Sequence, residues 1–479
     1  MTIALIASEV TPFAKTGGLA DVIGTLSVAL AQLGNEVFVI APAYSSVLRG
    51  GFALHETSME FSVPVADRIV PAQVLEGTIG SRVTVYFTRA DQYFDREFLY
   101  TTPEGDYPDN SERFVFFSRA AIELLCHRPV DIAHFHDWQT ALAPLYLKAQ
   151  PARYGEMSEA KTVFTIHNLG FQGIFGPADW PLLDLDGSFF APQFLEFYGN
   201  INFLKGAIIF ADKLTTVSAS YAAEIMTAEQ GFGLEGVLRQ RASDLVGILN
   251  GVDYQLWNPW TDPFIADHYG ENSLTQKEIC KEKLMQTVGL QSRGDKPVIG
   301  MISRLTPQKG FDLLEVILDA IMERGMQFVL LGNGDSRYEN FFRAAMARYP
   351  DQIAVRIEFD EPLAHQIEAG ADIFLMPSLY EPCGLNQMFS LKYGTIPIVR
   401  AVGGLKDTVQ QCNVDANSGT GFLFEPYTAG AFLAALDECL LVYRNQPAWK
   451  ALQRRAMAMD FSWNRSAKNY IDLYRQLVS

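Results

Sequence analysis

The sequence predicts an α/β protein made of two Rossmann-like, doubly wound domains with a cleft between them. Three observations carry that prediction. Short apolar, β-branched runs alternate with longer amphipathic stretches, the alternating series runs twice, and a junction rich in Gly, Asn and Pro separates the two runs. A chain of 479 residues, 48% hydrophobic and 19% charged, has enough apolar material for such cores. At about 150 residues per domain, its length gives two or three domains.

In the first series Ile3–Ala7, Val37–Ala41, Ile132–His134, Val163–Ile166 and Lys213–Val217 read as strands. Each is a compact apolar run of the kind a parallel sheet buries on both faces. Leu19–Leu33 and Glu112–Leu125 carry helical spacing between them. Met59–Phe87 alternates instead, with Gly77 and Gly80 as turn residues, and reads as an antiparallel insertion. Gly231-Phe232-Gly233-Leu234-Glu235-Gly236 follows the last strand of this series. Asn250-Gly251-Val252-Asp253, Pro259 and Pro263 then mark a boundary. The second series has strands Val298–Ser303, Phe328–Leu331, Ile373–Pro377 and Ile396–Val399, with helices Leu313–Arg324 and Ala364–Ala369. One open sheet would not comfortably hold all these strands, so the expected domains are 1–245 and 250–459. Ligands of such sheets sit beyond the carboxyl ends of the strands, so motifs at those ends should face the cleft.

Composition narrows the function classes. Lys+Arg 38 against Asp+Glu 55 gives a net charge of −17, which repels phosphate backbones and disfavours nucleic acid as a partner. An anionic small molecule must then meet a local cluster of cations. The five cysteines, Cys126, Cys280, Cys383, Cys412 and Cys439, are widely spaced without Cys-x-x-Cys, as expected of reduced thiols in the cytoplasm. The opening residues Met1–Ala7 lack the basic leader and apolar length of a signal peptide, and no apolar run reaches 18 residues, so no membrane partner is expected.

Four motifs stand at strand ends. Lys15-Thr16-Gly17-Gly18-Leu19-Ala20-Asp21 opens a helix, where two glycines admit a close ligand, helix-start amides favour an anion, and Lys15 adds a charge. The alternative for a bare Gly-Gly is a plain tight turn. Ser303-Arg304-Leu305-Thr306-Pro307-Gln308-Lys309-Gly310 puts two cations at a strand-to-helix junction, suited to a diphosphate without metal or else to solvated surface. Glu381-Pro382-Cys383-Gly384-Leu385 offers a carboxylate to sugar hydroxyls or to positive charge at an anomeric carbon, with the amides of Cys383, Gly384 and Leu385 aimed at the same space. Cys383 reads as a packed thiol, since no Cys-His signature accompanies it. Gly403-Gly404-Leu405-Lys406-Asp407 is a second Gly-Gly helix opening.

The histidines sit on strand ends as well. His134 and His136 share a strand face but lack a third ligand at metal-binding spacing, so no metal is expected. His167, in Thr165-Ile166-His167-Asn168, is either structural or a polar contact to ligand. Asp184-Leu185-Asp186 lies in a loop-like acidic run and reads as chance. Leu331-Gly332-Asn333-Gly334-Asp335 lacks the third glycine of a dinucleotide fingerprint, because Arg337 stands there, so no NAD cofactor is expected. Neither a P-loop nor a Gly-x-Ser-x-Gly elbow occurs.

Taken in order, these motifs resemble the bacterial glycogen synthase and plant starch synthase family: Lys15 to Asp21, His136-Asp137-Trp138, Thr165 to Asn168, Leu249-Asn250-Gly251-Val252-Asp253, Ser303 to Gly310 and Glu381 to Leu385. The resemblance spans essentially the whole chain. It implies the GT-B architecture, with a final helix, 460–479, packing back on the acceptor-side first domain. It also implies glucose transfer from ADP-glucose to the non-reducing end of an α-1,4-glucan with retention, and no cofactor. By the resemblance, Lys15, Arg304 and Lys309 bind the diphosphate. Gly17, Gly18, Asp21, His167, Asn168, Asn250 and Glu381 line the donor glucose, beside the turn Cys383-Gly384-Leu385 and Gly404. Glu381, His167, Arg304 and Lys309 form the implied catalytic set. Asp137 and Tyr93 fall on the acceptor side. Phe94, Tyr100 and Tyr107 either stack on glucan with Tyr93 or pack internally.

The sequence departs from related retaining transferases at Phe389, where a second carboxylate would follow Glu381 after seven residues, and at Leu379 and Phe359. A two-carboxylate glycosidase scheme is thereby disfavoured. The rival readings are another GT-B transferase or epimerase using a UDP-sugar, a non-catalytic glucan-binding scaffold, and, more remotely, an NAD dehydrogenase.

Overall fold

The computed structural model describes residues 1–80, 82–294 and 296–478. Ser81, inside the expected Met59–Phe87 insertion, and Ser479, at the end of the expected returning helix, lie outside them. The chain folds as two compact units. The first comprises Met1–Val217, Ala222–Gly251 and the segment from Trp463 onward; the second comprises Ser218–Tyr221 and Val252–Ser462.

The first unit is built on β1 (Thr2–Ile6), α1 (Gly18–Gln32), β2 (Glu36–Pro42), β3 (His55–Val65), β4 (Arg68–Ile79), β5 (Val83–Arg89), α2 (Asn110–His127), β6 (Ile132–His136), β7 (Lys161–Ile166), β8 (Lys213–Thr216) and β9 (Leu245–Gly247). Its nine strands form one sheet in the order β9-β8-β7-β6-β1-β2-β5-β4-β3. The stretch from β9 to β5 is parallel, and β5, β4 and β3 pair antiparallel. Ile3, Ala4, Leu5 and Ile6 of β1 are fully buried, as expected of a strand covered on both faces.

Met59–Phe87 is antiparallel as expected, and it widens the main sheet at one edge. The turn falls at Ala66 and Asp67, where Ala66 takes φ +54°, and Gly77 lies inside β4. A Cβ on Gly77 would stand 3.1 Å from the side chains of Leu54 and Phe87, so this glycine makes room for packing instead of turning the chain.

The second unit is a six-stranded parallel sheet. Its elements are β10 (Val298–Ile302), α3 (Phe311–Glu323), β11 (Gln327–Leu331), β12 (Ile353–Arg356), α4 (Glu361–Gly370), β13 (Ile373–Met376), α5 (Asn386–Tyr393), β14 (Ile396–Arg400) and β15 (Phe422–Phe424). The strand order is β12-β11-β10-β13-β14-β15, with the order reversing between β10 and β13. A doubly wound sheet opens its ligand crevice at such a reversal. The short strands β9, β12 and β15 carry too little apolar sequence to stand out from their flanks. α4 begins three residues earlier than its periodicity indicates, because Asp360 caps it by accepting the Leu363 N–H at 3.0 Å.

The last helix, Trp463–Val478, belongs to the first unit and packs against α1. Tyr470 and Tyr474 are fully buried beneath it, and the Tyr474 hydroxyl meets His134 Nδ1 at 2.7 Å. Gly251 fits against Trp463, whose Cα would stand 2.6 Å from an added Cβ. Removing the Tyr474 hydroxyl leaves a buried imidazole nitrogen unpaired, which costs about 1–3 kcal/mol. Tyr474→Phe is expected to lower the stability of the first unit by that amount in a urea titration and to leave the transition of the second unit in place.

Candidate active site

Beyond the end of β1 the chain turns through Ser8 and Glu9 into the Lys-Thr-Gly-Gly loop. Glu9 is 4% exposed and well supplied with donors. Its carboxylate accepts the amides of Thr16 (2.5 Å) and Gly17 (3.2 Å), the Thr16 hydroxyl (2.7 Å) and the Tyr100 hydroxyl (2.9 Å). The amides of Thr16 and Gly17, expected to face an incoming anion, are thus already occupied by the protein's own carboxylate. Gly18 remains exposed at the start of α1. Lys15 Nζ donates to Asp21 Oδ1 at 2.8 Å, and the Thr11 hydroxyl donates to the same oxygen at 3.1 Å. Glu9 escaped the sequence reading, although an acid just past a strand end was the available signal.

The ends of β6 and β7 lie side by side. Asp137 follows β6 with φ +58°, a conformation non-glycine residues seldom hold, and Oδ1 accepts the His167 N–H at 2.8 Å. Burial pushes the Asp137 carboxyl up to about 7, against the pull of that N–H. His167 Nε2 lies 3.1 Å from His136 Nδ1, and burial lowers the His167 ring to about 3. His134 and His136 are held well below the usual histidine range by burial and by the neighbouring imidazoles; their own two rings lie tilted with centroids 4.0 Å apart. His134 Nε2 reaches the Thr165 hydroxyl at 2.6 Å. All three rings are therefore neutral near pH 7. The Asn168 side chain accepts the Gly170 N–H at 3.0 Å and shapes the next loop. Asn250 is buried.

Tyr93 does not fit its expected acceptor role. It is 4% exposed, its hydroxyl donates to Glu112, and its ring packs on Phe94 and Phe116. Phe94 is equally internal. Tyr100 serves Ser8 and Glu9, and the Tyr107 ring is covered by the guanidinium groups of Arg96 and Arg113. An aromatic cluster after β5 supplies this core, which sequence alone does not distinguish from a stacking surface.

In the second unit the ends of β10 and β13 bring Lys309 and Glu381 together. Lys309 Nζ donates to Glu381 Oε2 at 2.6 Å, and the Ser378 hydroxyl donates to the same oxygen at 2.9 Å. Glu381 is 5% exposed. Two hydrogen bonds bind the loops: Leu379 N–H to Gln308 O at 2.8 Å, and side-chain Gln308 Nε2 to Tyr380 O at 3.1 Å. Gly310, at φ +77°, is required, because a Cβ would lie 2.1 Å from Pro377 O. Arg304 is exposed, and its guanidinium has no partner among the described residues.

Gly403 and Gly404 seat the Glu381-Pro382-Cys383 turn. A Cβ on Gly404 would lie 2.0 Å from Cys383 O, and the Gly404 N–H donates to Glu381 O (3.1 Å) and Pro382 O (3.2 Å). The expectation that Gly404 offers its amide to an anion is corrected: that amide holds the Glu381-Pro382-Cys383 turn. Gly384 takes φ +70°, and Gln387 Nε2 donates to Cys383 O and Gly384 O, both at 3.0 Å. Leu385 leads into α5, which Asn386 ties to β10 through Ile302 O at 2.7 Å. Cys383 is buried.

Where a second carboxylate would stand, Phe389 stacks on Trp257 at 4.1 Å, with His365 on the other face at 3.8 Å. Phe359 and Leu379 are exposed. Among the described residues no group of three or more His, Cys, Asp and Glu is arranged to hold a metal, and no helix is long and apolar enough to cross a membrane.

Comparison with known proteins agrees along the whole chain. A family profile described as the starch synthase catalytic domain matches residues 2–240, and one for glycosyl transferases group 1 matches residues 286–454. The chain is 48% identical to the glycogen synthase of Koribacter versatilis over 99% of this chain and 98% of that one. It is 44% identical to the glycogen synthase of Syntrophotalea carbinolica over 100% and 99%. Among solved structures, the catalytic domain of starch synthase IV from Arabidopsis thaliana, bound to ADP and acarbose, superposes with TM-score 0.90 at 34% identity, covering 100% of this chain and 99% of that one. A sucrose-phosphate synthase from Thermosynechococcus elongatus, at TM-score 0.60 and 18% identity over 99% and 98%, shares the fold.

The three neutral histidines give a pH signature. Their folded pKa values lie below the unfolded value near 6.5, so stability is present above pH ~6.5 and is lost as pH falls and the unfolded chain takes up three protons. Asp137, raised to about 7, opposes this by one proton in the same window. The first unit is expected to lose about 2.7 kcal/mol per pH unit between roughly pH 5.5 and 4.5. His136→Asn should halve that slope in pH-resolved urea melts.

Proposed function

The chain belongs to the glycogen synthase family, and we propose that it transfers glucose from ADP-glucose to the non-reducing end of an α-1,4-glucan with retention at the anomeric carbon. It is a glycosyltransferase with a nucleotide-sugar and a glucan as partners. The choice of ADP and of an α-1,4-linked acceptor is supported by the names of its relatives and by the ADP and acarbose in the starch synthase IV structure. Bacterial glycogen synthase relatives support a cytoplasmic location.

The observation that carries the reading is the half-buried Lys309–Glu381 pair, together with Arg304 after β10, whose guanidinium has no partner among the described residues. A diphosphate leaving group builds negative charge as its bond to the sugar lengthens. Arg304, as a planar fork, and Lys309, as a point charge, offset that charge, and Lys15, paired with Asp21 in the first unit, is a further cation. Glu381 turns its carboxylate to the developing positive charge on the sugar, with Ser378 and Lys309 fixing its orientation. Asp137 and the neutral ring of His167, with Asn168 beside them, orient the glucosyl group and the incoming hydroxyl. The bond from the anomeric carbon to the phosphate oxygen breaks with its electron pair on phosphate. The acceptor hydroxyl bonds the same face and gives its proton to that phosphate oxygen. Configuration is retained, and ADP leaves.

This route uses one carboxylate, in keeping with the apolar stack at Phe389. Exclusion of water would let transfer outrun hydrolysis.

Glucose incorporation into glycogen from ADP-glucose, UDP-glucose and other nucleotide-sugars is the direct test, with ADP-glucose expected to be preferred. Binding of glucan without incorporation from any donor would instead favour the scaffold reading. Lys309→Ala is expected to lower kcat/KM for ADP-glucose by about 100- to 1,000-fold; unchanged kinetics would remove the diphosphate role. Glu381→Gln should depress kcat more than donor affinity. Loss of donor binding alone would show that its carboxylate does not act in the transition state.

A further inference from the structure

Away from these strand ends, the first unit carries aromatic residues at backbone positions that disfavour them. Glu196–Phe197 and Asn200–Asn202 form a hairpin joined by Tyr198-Gly199, with φ +49° and +81°. Two successive positive φ values in a two-residue loop define the type I′ hairpin turn, whose first position prefers Asn or Gly. Here that position holds a tyrosine that is 81% exposed. The same device recurs at Phe232-Gly233, φ +47° and +84°, in a turn closed by the Leu234 N–H on Gly231 O at 2.8 Å. Phe232 is 41% exposed. Folding stability would replace both rings by asparagine, and backbone strain of this kind is kept where the side chain has other work.

The loops that carry the rings are rigidly joined. Gln172 Nε2 donates to Phe232 O at 3.1 Å, and buried Asn202 donates to Gln172 Oε1 at 2.6 Å. A Cβ on Gly233 would fall 2.9 Å from Phe197 and 3.4 Å from Tyr198, so the two turns touch. Phe171, next to Gln172 and 58% exposed, donates its N–H to Asn168 O at 3.1 Å. The contacts thus order a row: Asn168, Phe171, Phe232, Tyr198. It begins at the proposed sugar-lining residue and ends at the hairpin tip.

We propose that this row is a track for the α-glucan acceptor, on which Phe171, Phe232 and Tyr198 stack successive glucose rings beyond the reacting end. The proposal rests on the glucosyltransferase reading. A linear chain of sugars has apolar ring faces repeated along its length, which suits exposed aromatics arranged in sequence from the site outward. A globular partner would call for a broad patch instead.

The test is Tyr198→Asn and Phe171→Ala, read by retention on amylose without nucleotide and by kinetics. Tyr198→Asn restores the residue its turn prefers, so its melting temperature should hold or rise. Amylose retention should weaken and KM for glycogen should rise roughly two- to tenfold for each variant. Unchanged retention and unchanged KM for glycogen in both variants would overturn the track. So would a fall in sedimentation coefficient with retention intact, which would make the patch a contact between copies of the chain. Retention lost in the variants while the wild type transfers no glucose would uphold the track and reject the transferase reading.

Discussion

Each unit buries a carboxylate just past a strand end, and that costly act organises everything around it. A carboxylate removed from water is tolerated only when donors replace its hydration. Glu9 finds two amides and two hydroxyls. Glu381 finds an ammonium and a hydroxyl. Meeting those demands forces backbone segments together more closely than side chains allow. In the second unit the glycines follow from this: Gly310 clears Pro377, and Gly403 and Gly404 clear the turn that carries Glu381.

The same requirement sets the electrostatics of the two sites apart. At Glu9 the charge is absorbed by neutral donors, so the loop before α1 is held in shape without a cation, and Lys15 is left to Asp21 at the surface. At Glu381 the partner is itself charged, and a ligand phosphate would compete for Lys309 with the carboxylate it already holds. Binding of an anion there redistributes an existing pair instead of filling a vacant one, whereas Arg304 is available without any such exchange. The ledger of −17 for the whole chain makes these few cations matter more than their number suggests.

Much of this was legible in the residues. Parallel strands are short apolar runs, and nine were readable because burial on both faces leaves little room for polar exceptions. The Arg304, Lys309 and Glu381 motifs stood out because strand ends in a doubly wound sheet are where chemistry collects. What escaped was set by tertiary packing. Gly77 looks like a turn and is a strand residue under Phe87; Gly404 looks like an anion site and is a seat for a neighbouring turn. Tyr93 looks like a sugar platform and lies in a core, while Tyr198, in a short hairpin turn, is an exposed ring. A ring in the sequence carries no mark of which face of the chain it will take.

The returning helix has a consequence for how the protein is made. Ribosomes deliver residues from the amino end, yet the first unit needs Tyr474 to complete the hydrogen bonding of His134 and Trp463 to cover Gly251. Its sheet can assemble during translation, but the face of α1 that receives the helix stays open until Trp463–Val478 emerges. More than two hundred residues of the other unit are synthesised in that interval. The nascent chain therefore carries an unfinished apolar surface until then, and a premature stop before Trp463 would release it in that state.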